Sequence, residues 1–269
     1  MVNKGLVPGT AAGVHAADGT RRSGPILALE ASTLAVSVAL LGPDGEPWGQ
    51  VVAPPDARGT SLLASAAAEL LAARALRASD LLGVIVGTGP GSYTGTRAAI
   101  ALARALVFAA GVRIAGVPSV AGAALAELRR RPDVQRVIVL IDARRGESYR
   151  ADYERAPADG AAGPLRELRA PCLVTGADAL PLAPAGAPGA PAGASPLTSD
   201  AGDEKLLAEL RISVLREPHP DAYDVAAVGR AHLLSGGDSP EAVLPLYLKR
   251  SHAEIVFDER VGSQGLGGG

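Results

Sequence analysis

The 269-residue chain has a single cysteine, Cys172. One thiol closes no intrachain disulfide and builds no multi-cysteine metal site, and it suits a reducing cytoplasmic setting. Positive charge is not in excess either. Against 26 Lys and Arg stand 28 Asp and Glu, a formal net charge of −2, so no overall field draws nucleic acid to the isolated chain. Lysine occurs only at Lys4, Lys205 and Lys249; with the abundant Ala, Gly and Pro this points to GC-rich coding, which makes Ala in place of larger residues weakly informative. Long apolar runs are missing. The most apolar stretches, 26–41 and 98–112, are interrupted by Glu30 and Arg104 and fall short of the ~18 residues of a bilayer span, so no membrane crossing is expected. His15, His219, His232 and His252 sit at neither H-x-x-x-H nor H-E-x-x-H spacing, and no G-x-S-x-G elbow exists. A metallohydrolase lacks visible ligands and a serine hydrolase lacks its nucleophile turn.

What remains is ample for folding. Hydrophobic residues make up 48% of the chain, which argues against global disorder, and the length suits one large domain or two lobes. Residues 1–24 have no compact apolar core and read as a disordered extension. Residues 26–41 predict two strands around a polar turn near Glu30 to Thr33, with Val36, Val38 and Leu40 alternating, and a third strand follows Pro43-Asp44-Gly45 at 48–52. From Thr60 the period becomes 3.6: Leu62/Leu63, Ala66/Ala67 and Leu70/Leu71 form one stripe of a helix, while Ser61, Ser65 and Glu69 form the opposite one. A buried strand at 81–87, a Gly/Pro turn, a helix over 93–110 and a strand at 112–117 complete this half. A similar plan resumes after Pro118: a helix at 120–130, a strand at 137–142, its hairpin partner at 148–153, short elements at 204–210 and 212–215, and a helix at 222–234. Residues 181–196 hold 14 Pro, Ala or Gly among 16 and predict a mobile loop; 261–269 read as a tail.

The richest segment is Gly87-Thr-Gly-Pro-Gly-Ser-Tyr-Thr-Gly-Thr-Arg97. A Gly-rich strand-to-helix turn aims free N–H groups outward at the positive end of a helix, an arrangement that binds anions. It is neither a Walker A loop nor a dinucleotide fingerprint. The simpler reading is a tight turn whose Ser92 or Thr94 caps the helix while Arg97 faces solvent or a partner. Glu30, Ser32 and Thr33 offer a carboxylate and two hydroxyls to a phosphate or a hydrated Mg²⁺, or else populate an ordinary turn. Asp142-Ala-Arg144-Arg145-Gly146 projects charge from a hairpin, to orient a ligand or an RNA phosphate or to form a solvated ion pair. The helices at 62–76 and 98–110 expose many small side chains, which permit close approach of a partner helix, although coding bias produces the same composition.

Taken in order, Ile26-Leu-Ala-Leu-Glu-Ala-Ser-Thr, Gly89-Pro-Gly-Ser-Tyr-Thr-Gly-Thr-Arg97, Gly116-Val117, Ile141-Asp-Ala-Arg-Arg-Gly-Glu-Ser-Tyr149 and Leu244-Pro-Leu-Tyr-Leu-Lys249 resemble the TsaB (YeaZ) family over about 26–249. The resemblance implies an α/β, two-lobed actin-like ATPase (ASKHA) fold with mixed sheets flanked by helices. The first lobe would take 25–117 with about 221–236, and the second 118–220 with about 237–260. It further implies a non-catalytic subunit, without cofactor or metal, that binds a TsaD-like catalytic subunit for threonylcarbamoyladenosine (t6A) modification of tRNA beside the anticodon. A TsaE-like ATPase and tRNA would join through the complex, and the chain alone would form a homodimer. Where the catalytic relative holds a metal through two histidines, this sequence has Ser119 and Ala123. Glu30-Ala31 replaces the usual Asp-Thr, and Arg58-Gly-Thr-Ser61 lacks a common histidine. The partner contact is expected through Leu62, Leu63, Ala66, Leu70, Arg97, Ala101 and Arg104, with Leu70→Glu breaking it. Ser32, Thr33, Gly89, Gly91, Ser92 and Thr94 are the candidate nucleotide or anion contacts, and Asp142 and Arg144 the second-lobe motif. The alternative is an actin-like-fold ATPase or small-molecule kinase built on the Glu30 hairpin; a peptidase lacks its metal ligands.

Overall fold

The computed structural model describes residues 23–53, 59–157, 164–175 and 207–249. The extension through residue 22, the loop 181–196 and the tail 261–269 lie outside the described residues. Strands β1 (Ile26–Glu30), β2 (Ser37–Leu41), β3 (Pro47–Val52), β4 (Gly83–Gly87) and β5 (Arg113–Val117) form one sheet in the order β3-β2-β1-β4-β5. β1 to β3 run antiparallel, and β4 and β5 lie parallel to β1. β1 is apolar on both faces because the sheet is covered on both sides.

Alternation along each strand divides the core. Leu27, Leu29, Val38, Leu40, Val84 and Val86 face helices α1 (Gly59–Ala72) and α2 (Tyr93–Ala110). Ile26, Ala28, Leu41, Ile85 and Val117 face α3 (Ser119–Arg130) and α4 (Ala222–Leu234), and beyond these helices stand Val137, Val139, Ala151 and Tyr153 of a second sheet. The molecule is therefore layered as helices, sheet, helices, sheet.

The second sheet contains β6 (Arg136–Arg144), β7 (Glu147–Arg155), β8 (Leu165–Thr175) and β9 (Ile212–Arg216) in the order β8-β7-β6-β9. β8 was not foreseen. It carries Arg166, Glu167, Arg169 and Pro171, and it tolerates the proline as an edge strand whose register with β7 shifts between Arg150 and Asp152. On β7 the buried Arg150 guanidinium donates twice to Asp152, both bonds 2.7 Å.

The division at 237–260 assigned this segment to the second lobe; 250–260 lie outside the described residues, and 237–248 run along the first sheet after α4. Asp238 N donates to Ile114 O at 2.8 Å and Asp238 Oδ2 accepts from Gly116 N at 2.9 Å, so the segment docks on the free edge of β5. Arg104 donates to the carbonyls of Pro240 and Glu241, Val243 enters the first core, and Leu246 N donates to Thr88 O. Only at Lys249, which donates to Ala143 O at 3.1 Å and pairs with Glu147, does this strap reach the second sheet.

Candidate functional site

The strand-to-helix turn is built by packing. Gly91, at φ +154°, lies against the β1–β2 loop, and a Cβ there would sit 2.1 Å from Ser32 O. Ser92 N donates to that same carbonyl at 2.6 Å, and Ser92 Oγ caps α2 by accepting from Gly95 N at 3.1 Å. Gly89 and Ser119 hold each other: Ser119 N donates to Gly89 O at 2.8 Å, and Gly89 N donates to Ser119 Oγ at 3.1 Å. Ser119, in the place where the catalytic relative was expected to have a histidine, thus fixes the turn, and Ala123 is buried in α3.

This geometry revises the phosphate reading of the opening hairpin. Glu30 is 0% exposed and packed against Gly87 and Ser119, and Ser32 is buried beneath Gly91, so neither presents an accessible side chain to a ligand. Burial raises the Glu30 carboxyl above the ordinary carboxylate range, against the lowering effect of hydrogen bonds from Ser32 and Ser119. Thr33 Oγ1 is turned to Ala35 O, and Thr94 is exposed on the first turn of α2. No group of three or more His, Cys, Asp or Glu able to hold a metal occurs among the described residues. No helix among them is long and apolar enough to cross a membrane.

Between the two sheets lies a cleft of about 270 Å³. Gly91, Ser92 and Thr96 line one side, Tyr149 of β7 another, and Leu246, Tyr247 and Lys249 of the strap a third. Tyr247 stacks on Tyr93 with centroids 5.4 Å apart, and the Arg97 guanidinium lies over the other ring of that pair, Tyr93, at 4.9 Å. Asp142 and Arg144 sit at the hairpin as an exposed ion pair at 3.3 Å, with Arg144 N donating to Asp142 Oδ1.

The expected partner face on α1 needs correction. Leu63, Ala66 and Leu70 are 2%, 4% and 4% exposed, and Leu62 is packed against the same core. The apolar stripe is simply the face that covers the sheet. What α1 leaves outside is Ser61, Ala64, Ser65, Ala68, Glu69 and Ala72. On α2, Arg97 and Ala101 are exposed, Arg104 is half-buried by its hold on the strap, and Phe108 is 95% exposed. Phe108 follows Arg97 and Ala101 on one helical face, a spacing visible in sequence once the buried phase is known.

A family model described as TsaD, tRNA N6-adenosine threonylcarbamoyltransferase, matches residues 56–173. The chain is 33% identical over 130 residues to the tRNA threonylcarbamoyladenosine biosynthesis protein TsaB of Escherichia coli (strain K12), covering 48% of this chain and about half, 55%, of that relative. It is 34% identical over 190 residues to an uncharacterized protein of Mycobacterium tuberculosis (strain ATCC 25618 / H37Rv), covering 68% of this chain and 72% of that one. Among solved structures, YeaZ from Pseudomonas aeruginosa shares the fold at TM-score 0.60 and 24% identity, over 83% of this chain and 99% of that one. A second Pseudomonas aeruginosa structure, described as an uncharacterized protein with similarity to peptidase YEAZ, gives TM-score 0.61 and 26% identity over 84% and 99%. With two mixed sheets, their covering helices and the G-P-G-S-Y-T-G-T-R turn in place, the chain is similar in sequence to TsaB and shares the YeaZ fold, which fits an actin-like architecture.

Proposed function

We propose that the chain is a non-catalytic subunit in t6A modification of tRNA, one that binds and stabilises a TsaD-like catalytic subunit through the outer surface of α1 and α2. The observation that carries this reading is Phe108: a 95% exposed aromatic ring on α2, with the small, exposed Ala101, Ala105 and Ala109 around it. Large apolar side chains on such a surface are characteristic of interaction sites, and small neighbours let a second helix approach closely. A TsaE-like ATPase and tRNA join through the assembly in this proposal, in the cytoplasm, and the isolated chain pairs with a second copy through the same surface. Within the site, Glu30, Ser32 and Ser119 are spent on internal packing, which supports a scaffold over an ATPase.

Co-purification with the TsaD-like subunit tests the surface. Phe108→Glu and Ala101→Glu should each abolish capture while leaving thermal unfolding within a few degrees of the parent. Capture that survives both changes in a folded protein overturns the assignment. Calorimetric titration with Mg-ATP addresses the ATPase or small-molecule kinase reading: micromolar affinity with turnover would replace the scaffold proposal, and absence of heat is expected.

A further inference from the structure

We infer that the groove between α2 and the strap receives an acidic helix of the partner subunit, one with two carboxylates about two turns apart, and that it discriminates against a second copy of this chain. The inference rests on the proposal that the outer surface of α2 meets the partner, and it adds the chemistry of what docks there.

The groove, of about 290 Å³, has Arg97, Ala101 and Arg104 of α2 on one wall and Leu244 and Tyr247 of the strap on the other. Leu244 and Tyr247 are 58% and 55% exposed, large side chains that the chain itself leaves in water. Along α2, positions 97, 101, 104 and 108 follow one another by four, three and four, the spacing of a coiled-coil seam. The groove and the exposed Phe108 ring therefore lie on one line, and an occupant laid along that line is a helix.

Charge decides which helix. Arg97 and Arg104, seven residues apart, stand on the same side of α2 and about 10 Å from each other along its axis. Neither has a carboxylate partner among the described residues: Arg97 donates to the Tyr93 hydroxyl and lies over that ring, and Arg104 donates to the carbonyls of Pro240 and Glu241. A neutral helix laid here would bury the guanidiniums without counter-charge, and nothing would repay their desolvation. Carboxylates at i and i+7 of the docking helix would meet both through charge-assisted hydrogen bonds. A second copy offers the same two cations, so across a two-fold axis through the groove arginine faces arginine. RNA is a poorer occupant, because two cations on a chain of net charge −2 make few phosphate contacts.

The test is the affinity of the full chain for the TsaD-like subunit at low salt and at about 0.5 M salt, where screening shortens to a few ångströms. Arg97→Glu, Arg97→Lys and Phe108→Glu are compared with the parent, each checked for its fold by thermal unfolding. Salt should weaken the parent about tenfold; Arg97→Glu should weaken low-salt binding by about tenfold or more and shrink the salt response, and Arg97→Lys should restore both. Unchanged affinity and salt response in a folded Arg97→Glu, with capture still lost in Phe108→Glu, overturns the acidic helix and leaves the partner surface standing. Loss in Arg97→Glu with capture surviving Phe108→Glu keeps the groove and removes Phe108 from the contact, and a parent that does not bind the subunit overturns both. In sedimentation of the isolated chain, self-association should strengthen with salt and in Arg97→Glu, a chain monomeric throughout being the limiting case; self-association that low salt tightens and Arg97→Glu dissolves would put a second copy in the groove. Saturable capture of a poly(U) oligonucleotide that Arg97→Glu removes would assign the groove to RNA instead.

Discussion

Glu30 and Gly87 share one space: the Glu30 carboxylate occupies the position a side chain on Gly87 would need, with Oε2 only 1.9 Å from a Cβ built there. Glu30 cannot step aside freely, because its Oε1 accepts from Ser32 N at 2.5 Å and the residue is fully enclosed. Gly87→Ala should therefore destabilise the fold by about 1–3 kcal/mol, the range for overpacking a closed core. Urea unfolding measures it. A cost below about 0.5 kcal/mol, the scatter of neutral substitutions, would mean that the carboxylate has room to move.

Two acids give the fold an inverted pH response. Burial, with Asp221 nearby, raises Asp224 from 3.8 to about 6, outweighing the Arg129 guanidinium at 2.9 Å. The folded chain then holds a proton that the unfolded chain releases, so this contribution is full below about pH 4 and fades as pH rises through 6. Glu30, also raised, acts in the same direction. Asp224→Asn should flatten the curve of unfolding free energy against pH between 4 and 6.5. An unchanged slope in the variant would refute the assignment.

Leu70 belongs to the core and not to a docking face. Leu70→Ala should cost about 2–5 kcal/mol, whereas Ala68→Ser, on the outer side of the same helix, should stay within about 0.5 kcal/mol. Parallel denaturation of the two variants checks the helical phase, and similar losses from both would place the stripe wrongly.

The strap depends on Asp238, whose Oδ2 accepts from Gly116 N and whose Oδ1 meets His232 Nε2 at 2.8 Å. Asp238→Ala should leave the Gly116 amide unsatisfied and cost about 1–3 kcal/mol. Hydrogen exchange should quicken first at Gly116 and Leu246, and protection retained at both would show that Val243 alone anchors the segment.

Much of the scaffold was legible because local pattern and burial agree. Alternation in 36–41 and the helical stripe from Leu63 to Leu71 reflect faces pressed on one sheet, and the helix at 222–234 appears with those bounds. The same stripe misled on function, since apolar periodicity marks whatever a helix covers and the core is covered first. β8 escaped because an edge strand carries charge and proline without penalty. The cleft escaped for a different reason: Thr96, Tyr149 and Tyr247 come from three distant segments, and nothing in the neighbourhood of any one signals the others. Glu30 looked like a turn residue because a carboxylate at the end of β1 is ordinarily solvated, and only the tertiary packing of Gly87 and Ser119 encloses it.

Val243 closes a core whose other members lie between Leu27 and Ile114. In a chain emerging from the ribosome, that first layer is left with an open seam along β5 while the entire second sheet and α4 are being made. Its last hydrophobic contact and its edge hydrogen bonds arrive together, only after the second sheet and α4 have been made. Completion of the first lobe is thus a late, long-range event, of the kind that slows folding and exposes a strand edge to other chains in the interval.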